Sequence, residues 1–321
     1  MHIHRLTHAV DVHAAGWPLR VVLLPGACRG DGSLAEWADR LWQDGGEAGP
    51  SPIRWLQQEP RGHAAMRIGA IVPAARPAPD LLLVFNAQGP CRADGLDALC
   101  AAAAMGELGV VYGGELQRRQ AINGRTIQSD NSLFRVRMAG EEAVVSGERP
   151  ATIRERGRRI RTGSGTFAAD IVRSGGETYA VLDARDNGLR LRIEAVAELE
   201  AAAGEIGRAA GPGLRIVLLE RGSGTLRAAV FGPDGKLLRA PESRALGAAL
   251  CLLSEGDTGL AAKGLTVEGL TGAAVFCRAA ALSPGAKGGS AWETRCRPFV
   301  TGALQFMMDP GDELGEGFLL R

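Results

Sequence analysis

The stretch TYAVLDA at residues 178–184 is short, apolar at most positions and bounded by polar or glycine-containing turns. RVVLLPGA (20–27), DLLLVF (80–85), FRVRMAG (134–140), TFAADIV (166–172), LRIVLLE (214–220) and LRAAVFG (226–232) have the same form. Several alternate apolar and polar residues with period two, the pattern of a strand with one buried face. Helical spacing is confined to SLAEWADRLWQD (33–44), DGLDALCAAAAMGEL (94–108), RIEAVAELEAAAGEIGRAA (192–210) and ALGAALCLLSEG (245–256). Strands therefore outnumber helices and do not alternate with them one for one. The expected class is α+β, with mostly antiparallel units that each carry a helix, rather than a doubly wound parallel sheet. A chain of 321 residues exceeds what one core usually serves, so two domains are expected, and 45% hydrophobic residues can supply two cores.

Other features exclude whole classes of function. The net charge of +1 offers no global field for nucleic acid or an anionic membrane surface. Six cysteines (Cys28, Cys91, Cys100, Cys251, Cys277, Cys296) lack CxxC or CxxH spacing and read as reduced thiols. HIHRLTH (2–8) could place His2 and His4 on one strand face, but no comparable acidic or histidine cluster follows, so no metal is expected. The two GSGT segments (163–166 and 222–225) fall short of a phosphate loop and read as turns. RERGRRIRTGSG (154–165) lacks interleaved aromatics and reads as a linker or exposed edge. The N-terminus lacks a signal-type pattern and no apolar run is long enough to span a bilayer, so a cytoplasmic location is expected.

Four segments carry a resemblance: VDVHAAGWPLRVV (10–22), EPRGHAAM (59–66), ADIVRSGGETYAVLDA (169–184) and VTGALQFMMDPGDELGEGFLLR (300–321). In this order and spacing the chain resembles the proline racemase and hydroxyproline epimerase family, with Ala14 and Trp17 where the family usually has threonine and glutamate. The resemblance implies the diaminopimelate-epimerase-like fold, two pseudo-symmetric lobes each with a sheet wrapped around a central helix. The N-terminal lobe would cover residues 1–155 and be completed by 298–321, and the C-terminal lobe would cover 156–297, with the site in the cleft between them. It further implies cofactor-independent isomerisation at Cα of a proline-like amino or imino acid by a monomer or homodimer, with no cofactor, nucleic acid or membrane. Two cysteines opening the central helices serve as acid and base, while helix N-terminal amides receive the substrate carboxylate.

At the second half-site KLLRAPESRALGAALCLL (236–253) keeps Arg239 and Pro241 but has Glu242 at the cysteine position, followed by Ser243 and Arg244. Cys251 lies nine residues further on, about 13 Å along a helix, and reads as a core residue. At the first half-site, aligning through MGELG (105–109) puts Asp94 at the cysteine position, with Gly95, Leu96 and Asp97 in place of the family's glycine-histidine-glycine. A local gap would instead match Cys91. An acidic side chain at a helix start caps the amides that should hold the substrate and repels its charge. A carboxylate of pKa about 4 is also a weaker base than a thiol of about 8.5. Three functions remain open: an isomerase, epimerase or dehydratase using Asp94 or Cys91 opposite Glu242; a silent family member binding a ligand or partner beside Arg92 or Arg244; and a carboxylate-based isomerase or lyase. His63 in EPRGH is a further substrate-site candidate.

Overall fold

The computed structural model describes residues 5–24, 33–43, 51–74, 78–108, 124–129, 132–146, 151–222, 225–256, 258–279, 292–309, 311–314 and 317–318. They divide into one compact unit of Met1–Ala14, Pro18–Ala143 and Arg297–Arg321, and a second of Ala15–Trp17 and Val144–Cys296. His2, His4, Cys28 and residues 25–27 of the first apolar run lie outside the described residues.

In the first unit the chain forms β1 (Arg5–Ala14), β2 (Trp17–Leu23), α1 (Leu34–Gln43), α2 (Pro52–Gln57), β3 (Ile68–Val72), β4 (Asp80–Asn86), β5 (Gly89–Cys91), α3 (Gly95–Glu107), β6 (Arg125–Ser129) and β7 (Ser132–Ala139). Its last strand, Pro298–Met308, lies antiparallel to β1. Strands that follow one another directly in the element order pair antiparallel, as in β3–β4 and β6–β7. The parallel pairs β2–β3 and β4–β6 occur where helices lie in the connection, because a parallel return needs a long crossover. α3 is apolar all round and contacts β1, β3, β4, β7 and the C-terminal strand; Leu96, Leu99, Cys100, Ala101, Ala104 and Met105 are fully buried.

Three of the four family-motif segments, 10–22, 59–66 and 300–321, meet in this unit around Trp55. Trp55 of α2 is 0% exposed, and its ring meets the edge of Phe306 at 6.3 Å. The Arg61 guanidinium stacks on Trp55 at 4.3 Å and reaches Asp312 at 3.6 Å, while Arg20 covers Phe306 at 4.7 Å and pairs with Asp11 at 2.8 Å. Glu59 and Phe318 form a backbone bridge. Gly62 belongs to the same knot: a Cβ there would stand 2.3 Å from the Gln57 carbonyl oxygen, a backbone atom that cannot swing aside. Gly62→Ala is therefore expected to destabilise the protein by about 1–3 kcal/mol, read as a lower urea midpoint at unchanged slope.

The second unit continues through β8 (Glu142–Ser146), which begins in the first, β9 (Thr152–Arg161), β10 (Thr166–Ser174), β11 (Glu177–Asp183), α4 (Val196–Ala210), β12 (Arg215–Arg221), β13 (Leu226–Phe231), α5 (Ser243–Gly256), α6 (Thr258–Lys263), β14 (Leu265–Glu268), β15 (Ala274–Ala279) and β16 (Trp292–Cys296); Pro298–Met308 is then β17. The near-continuous apolar runs follow from burial on both faces. Tyr179, Val181, Val217, Leu219, Ala228 and Val230 point to the core that contains Ala245, Leu246 and Ala249 of α5. Their neighbours Ala180, Leu182, Ile216, Leu218, Ala229 and Phe231 point to Leu199, Ala203 and Ile206 of α4. Here too a helix lies in the connection of each parallel pair, β11–β12 and β13–β14.

The mixed α+β class and the positions of the main helices agree with the expectation. Of the two readings of the basic run at 154–165, linker or exposed edge, the linker is corrected: through Arg161 the run forms the mostly exposed strand β9, paired antiparallel with β10. Its exposed residues give no apolar periodicity to read, and the strand is held by its backbone ladder and by Arg156, which binds Asp170 and Glu255.

Candidate functional site

The two central helix starts are each built from their own unit. Asp94 is the N-cap of α3 and is 0% exposed; its Oδ1 accepts from the Leu96 amide at 3.0 Å, and its carboxylate also accepts from the Asp97 amide. Asp97 returns the contact, its Oδ2 accepting from the Asp94 amide at 2.8 Å, which completes a capping box. Arg67 then clamps Asp97 through both oxygens, Nε to Oδ1 at 3.2 Å and Nη2 to Oδ2 at 2.7 Å. Asp97 is 0% exposed, so this bidentate pair neutralises a fully buried charge. Gly95 and Leu96 form the buried first turn.

Cys91 ends β5, three residues before the α3 N-cap Asp94, and is partly exposed. With Arg92, Asp39 and Ser129 it lines a cavity of about 250 Å³. His63 is exposed; its Nδ1 accepts from the Ala65 amide at 3.2 Å and its carbonyl from Gln57 Nε2 at 3.2 Å, so it shapes its own loop.

At the second start α5 opens at Ser243, and the Glu242 carbonyl accepts its first helical bond from the Leu246 amide at 3.0 Å. The expectation that the Glu242 carboxylate caps this helix is corrected here. It turns toward the sheet, where Oε1 accepts from the Tyr179 hydroxyl at 2.5 Å and Arg215 Nη1 lies 3.4 Å from each oxygen. Arg244 Nη2 stands 3.8 Å away. Glu177 faces both cations, 3.8 Å from Arg215 Nε and 4.0 Å from Arg244 Nη1. Register explains the convergence: Tyr179 lies beside Arg215 in the parallel β11–β12 ladder, and Glu177 is two residues before Tyr179 on the same face. Ser174, paired with Glu177 across the turn, is 1% exposed and its hydroxyl has no protein partner. The turn between them needs Gly175, at φ +58°, where a Cβ would fall 2.3 Å from Arg244 Cδ.

Glu242 is 1% and Tyr179 0% exposed. Burial, and then the Glu242 charge, push the Tyr179 hydroxyl well above its usual range. A raised folded-state pKa means that the native state holds this proton more tightly than the unfolded chain does. The stabilisation is present in full below the ordinary tyrosine pKa of about 10 and fades as pH rises beyond it. Tyr179→Phe is expected to cost about 1.5–3 kcal/mol at neutral pH and to flatten the decline in stability above about pH 10, as followed by urea melts across pH.

Arg67, Glu177, Tyr179 and Arg215 were not singled out from the sequence. The readable hint was the alternation Glu177–Tyr179, which sets two polar side chains on a face otherwise occupied by Val181. Cys251 packs at the edge of the α5 core with its thiol toward the Ala151 carbonyl at 3.6 Å, and burial raises its pKa. Among the described residues no cluster of three or more His, Cys, Asp or Glu could hold a metal ion, and no helix is long and apolar enough to cross a membrane.

The proline racemase family model matches residues 9–319. A probable proline racemase from Agrobacterium radiobacter K84, solved with bound carbonate, superposes with a TM-score of 0.77 at 20% identity, over 98% of this chain and 96% of that one. A hydroxyproline epimerase from Agrobacterium vitis, solved with bound trans-4-hydroxy-L-proline, gives 0.76 at 20% identity, over 100% and 96%. A PhzF-family phenazine biosynthesis protein from Enterococcus faecalis gives 0.59 at 12% identity, over 94% and 99%. These similarities establish the α+β fold that the sequence motifs imply. With a family model matched along nearly its whole length, the chain belongs to the proline racemase family.

Proposed function

We propose that this chain is a divergent member of its family that has lost the two-thiol racemase chemistry, with Asp94 and Glu242 standing where the family keeps its cysteines. The observation that carries this reading is the capping box. The Asp94 carboxylate occupies amides of the α3 start, where a substrate carboxylate would need donors, and it is locked there by Asp97 and Arg67. A second carboxylate, Glu242, is committed to Tyr179 and Arg215. Neither is arranged as a base open to a Cα proton, and each would repel an incoming carboxylate. The family scaffold would then serve binding rather than inversion. Polarimetry on L-proline, D-proline and trans-4-hydroxy-L-proline tests it: constant rotation at high enzyme concentration is expected, and rotation drifting toward an equilibrium mixture would overturn it.

One observation favours a second reading, carboxylate-based isomerase or lyase chemistry. The 2.5 Å hydrogen bond between Tyr179 and Glu242 couples a proton donor to a carboxylate at the second helix start. That reading requires turnover to vanish in Tyr179→Phe while the fold, followed by circular dichroism, persists.

A further inference from the structure

The Glu242 carboxylate lies as a bound anion would. A hydroxyl donates to one oxygen at 2.5 Å, one guanidinium nitrogen sits 3.4 Å from both oxygens, and a second guanidinium stands 3.8 Å off. We propose that Tyr179, Arg215 and Arg244 form a carboxylate-binding pocket that the chain fills with its own Glu242 side chain, and that a small free monocarboxylate takes that place when the side chain is removed.

The cage is fixed independently of its occupant. Tyr179 and Arg215 are neighbours in the β11–β12 ladder, and the Arg244 side chain lies against Gly175. Glu177 holds both cations from the other side, at 3.8 Å and 4.0 Å. Removing Glu242 takes a negative charge away from the Arg215 and Arg244 guanidiniums that face it, which favours an anion in its place. Cutting Glu242 back to alanine excises the CH2–COO⁻ group beyond Cβ, and acetate has that outline. The side chains of Arg215 and Glu177, 21% and 24% exposed, form the rim through which it would enter. In the native chain the tether gives the carboxylate a high effective concentration, so free carboxylates do not displace it. This pocket goes beyond the proposed loss of racemase chemistry and does not depend on it, since its test reads binding and not turnover.

The test is thermal unfolding of Glu242→Ala in acetate or formate against chloride at equal ionic strength. The variant is expected to melt below the native protein and to regain on the order of 5 °C in carboxylate. The native protein, Glu242→Gln with its filled pocket, and Glu242→Ala/Arg215→Leu are expected to show no such gain. A gain absent from Glu242→Ala, equal in the native protein, or retained in the double variant would overturn the proposal. If Glu242→Ala does not fold in chloride, refolding from urea replaces melting: native circular dichroism recovered only in acetate supports the pocket, and failure in both salts counts against it.

Discussion

Replacing Arg67 with leucine is expected to lower stability by about 3–5 kcal/mol, because it removes the guanidinium that neutralises a carboxylate buried to 0% exposure. Breaking one side of a buried pair costs more than the pair itself contributes, since the remaining charge keeps its desolvation penalty. The double variant Arg67→Leu/Asp97→Leu is therefore expected to recover most of the loss. It would retain about 1 kcal/mol from the missing half of the capping box, where Asp97 accepts from the Asp94 amide. Urea midpoints of the two single variants and the double close the cycle. A double variant no more stable than Arg67→Leu would mean that the ion pair does not govern this helix start.

Trp55→Ala is the second large effect, with an expected loss of about 3–5 kcal/mol. Trp55 is fully enclosed, and it is also where Arg61 of the EPRGH segment and Phe306 of the C-terminal segment meet. Its removal opens a cavity and releases the stacking partner of Arg61, whose other charged contact is Asp312 at 3.6 Å. The loss should therefore appear with a larger rise in proteolytic sensitivity at the C-terminal segment than Arg67→Leu produces. Equal sensitivity in the two variants would argue against this knot as the anchor of β17.

The Trp55 knot also explains what the sequence could and could not convey. EPRGH and the C-terminal TGALQFMMDPGD segment carry the family resemblance, and both are knit into one core around Trp55 and Phe306, so they specify fold while leaving chemistry undetermined. The Asp94 cap was legible because a cap and its N3 partner are three residues apart and precede an apolar helix. The role of Glu242 was not, because its partners Tyr179 and Arg215 are 63 and 27 residues distant and only the β11–β12 register brings them together. Local propensity also left β9 undecided between linker and exposed edge, because most of its arginines are exposed and its stability comes from ladder bonds and ion pairs formed by distant residues.

On the proposed function Asp94 and Glu242 serve structure and do not abstract a Cα proton. Incubation in deuterium oxide with each isomer of proline and 4-hydroxyproline, followed by proton NMR of the Cα signal, tests it most directly, because it registers proton removal even where no net inversion accumulates. An undiminished Cα signal across all isomers is the predicted result. Enzyme-dependent loss of that signal for any isomer, abolished in Asp94→Asn or Glu242→Gln, would contradict it.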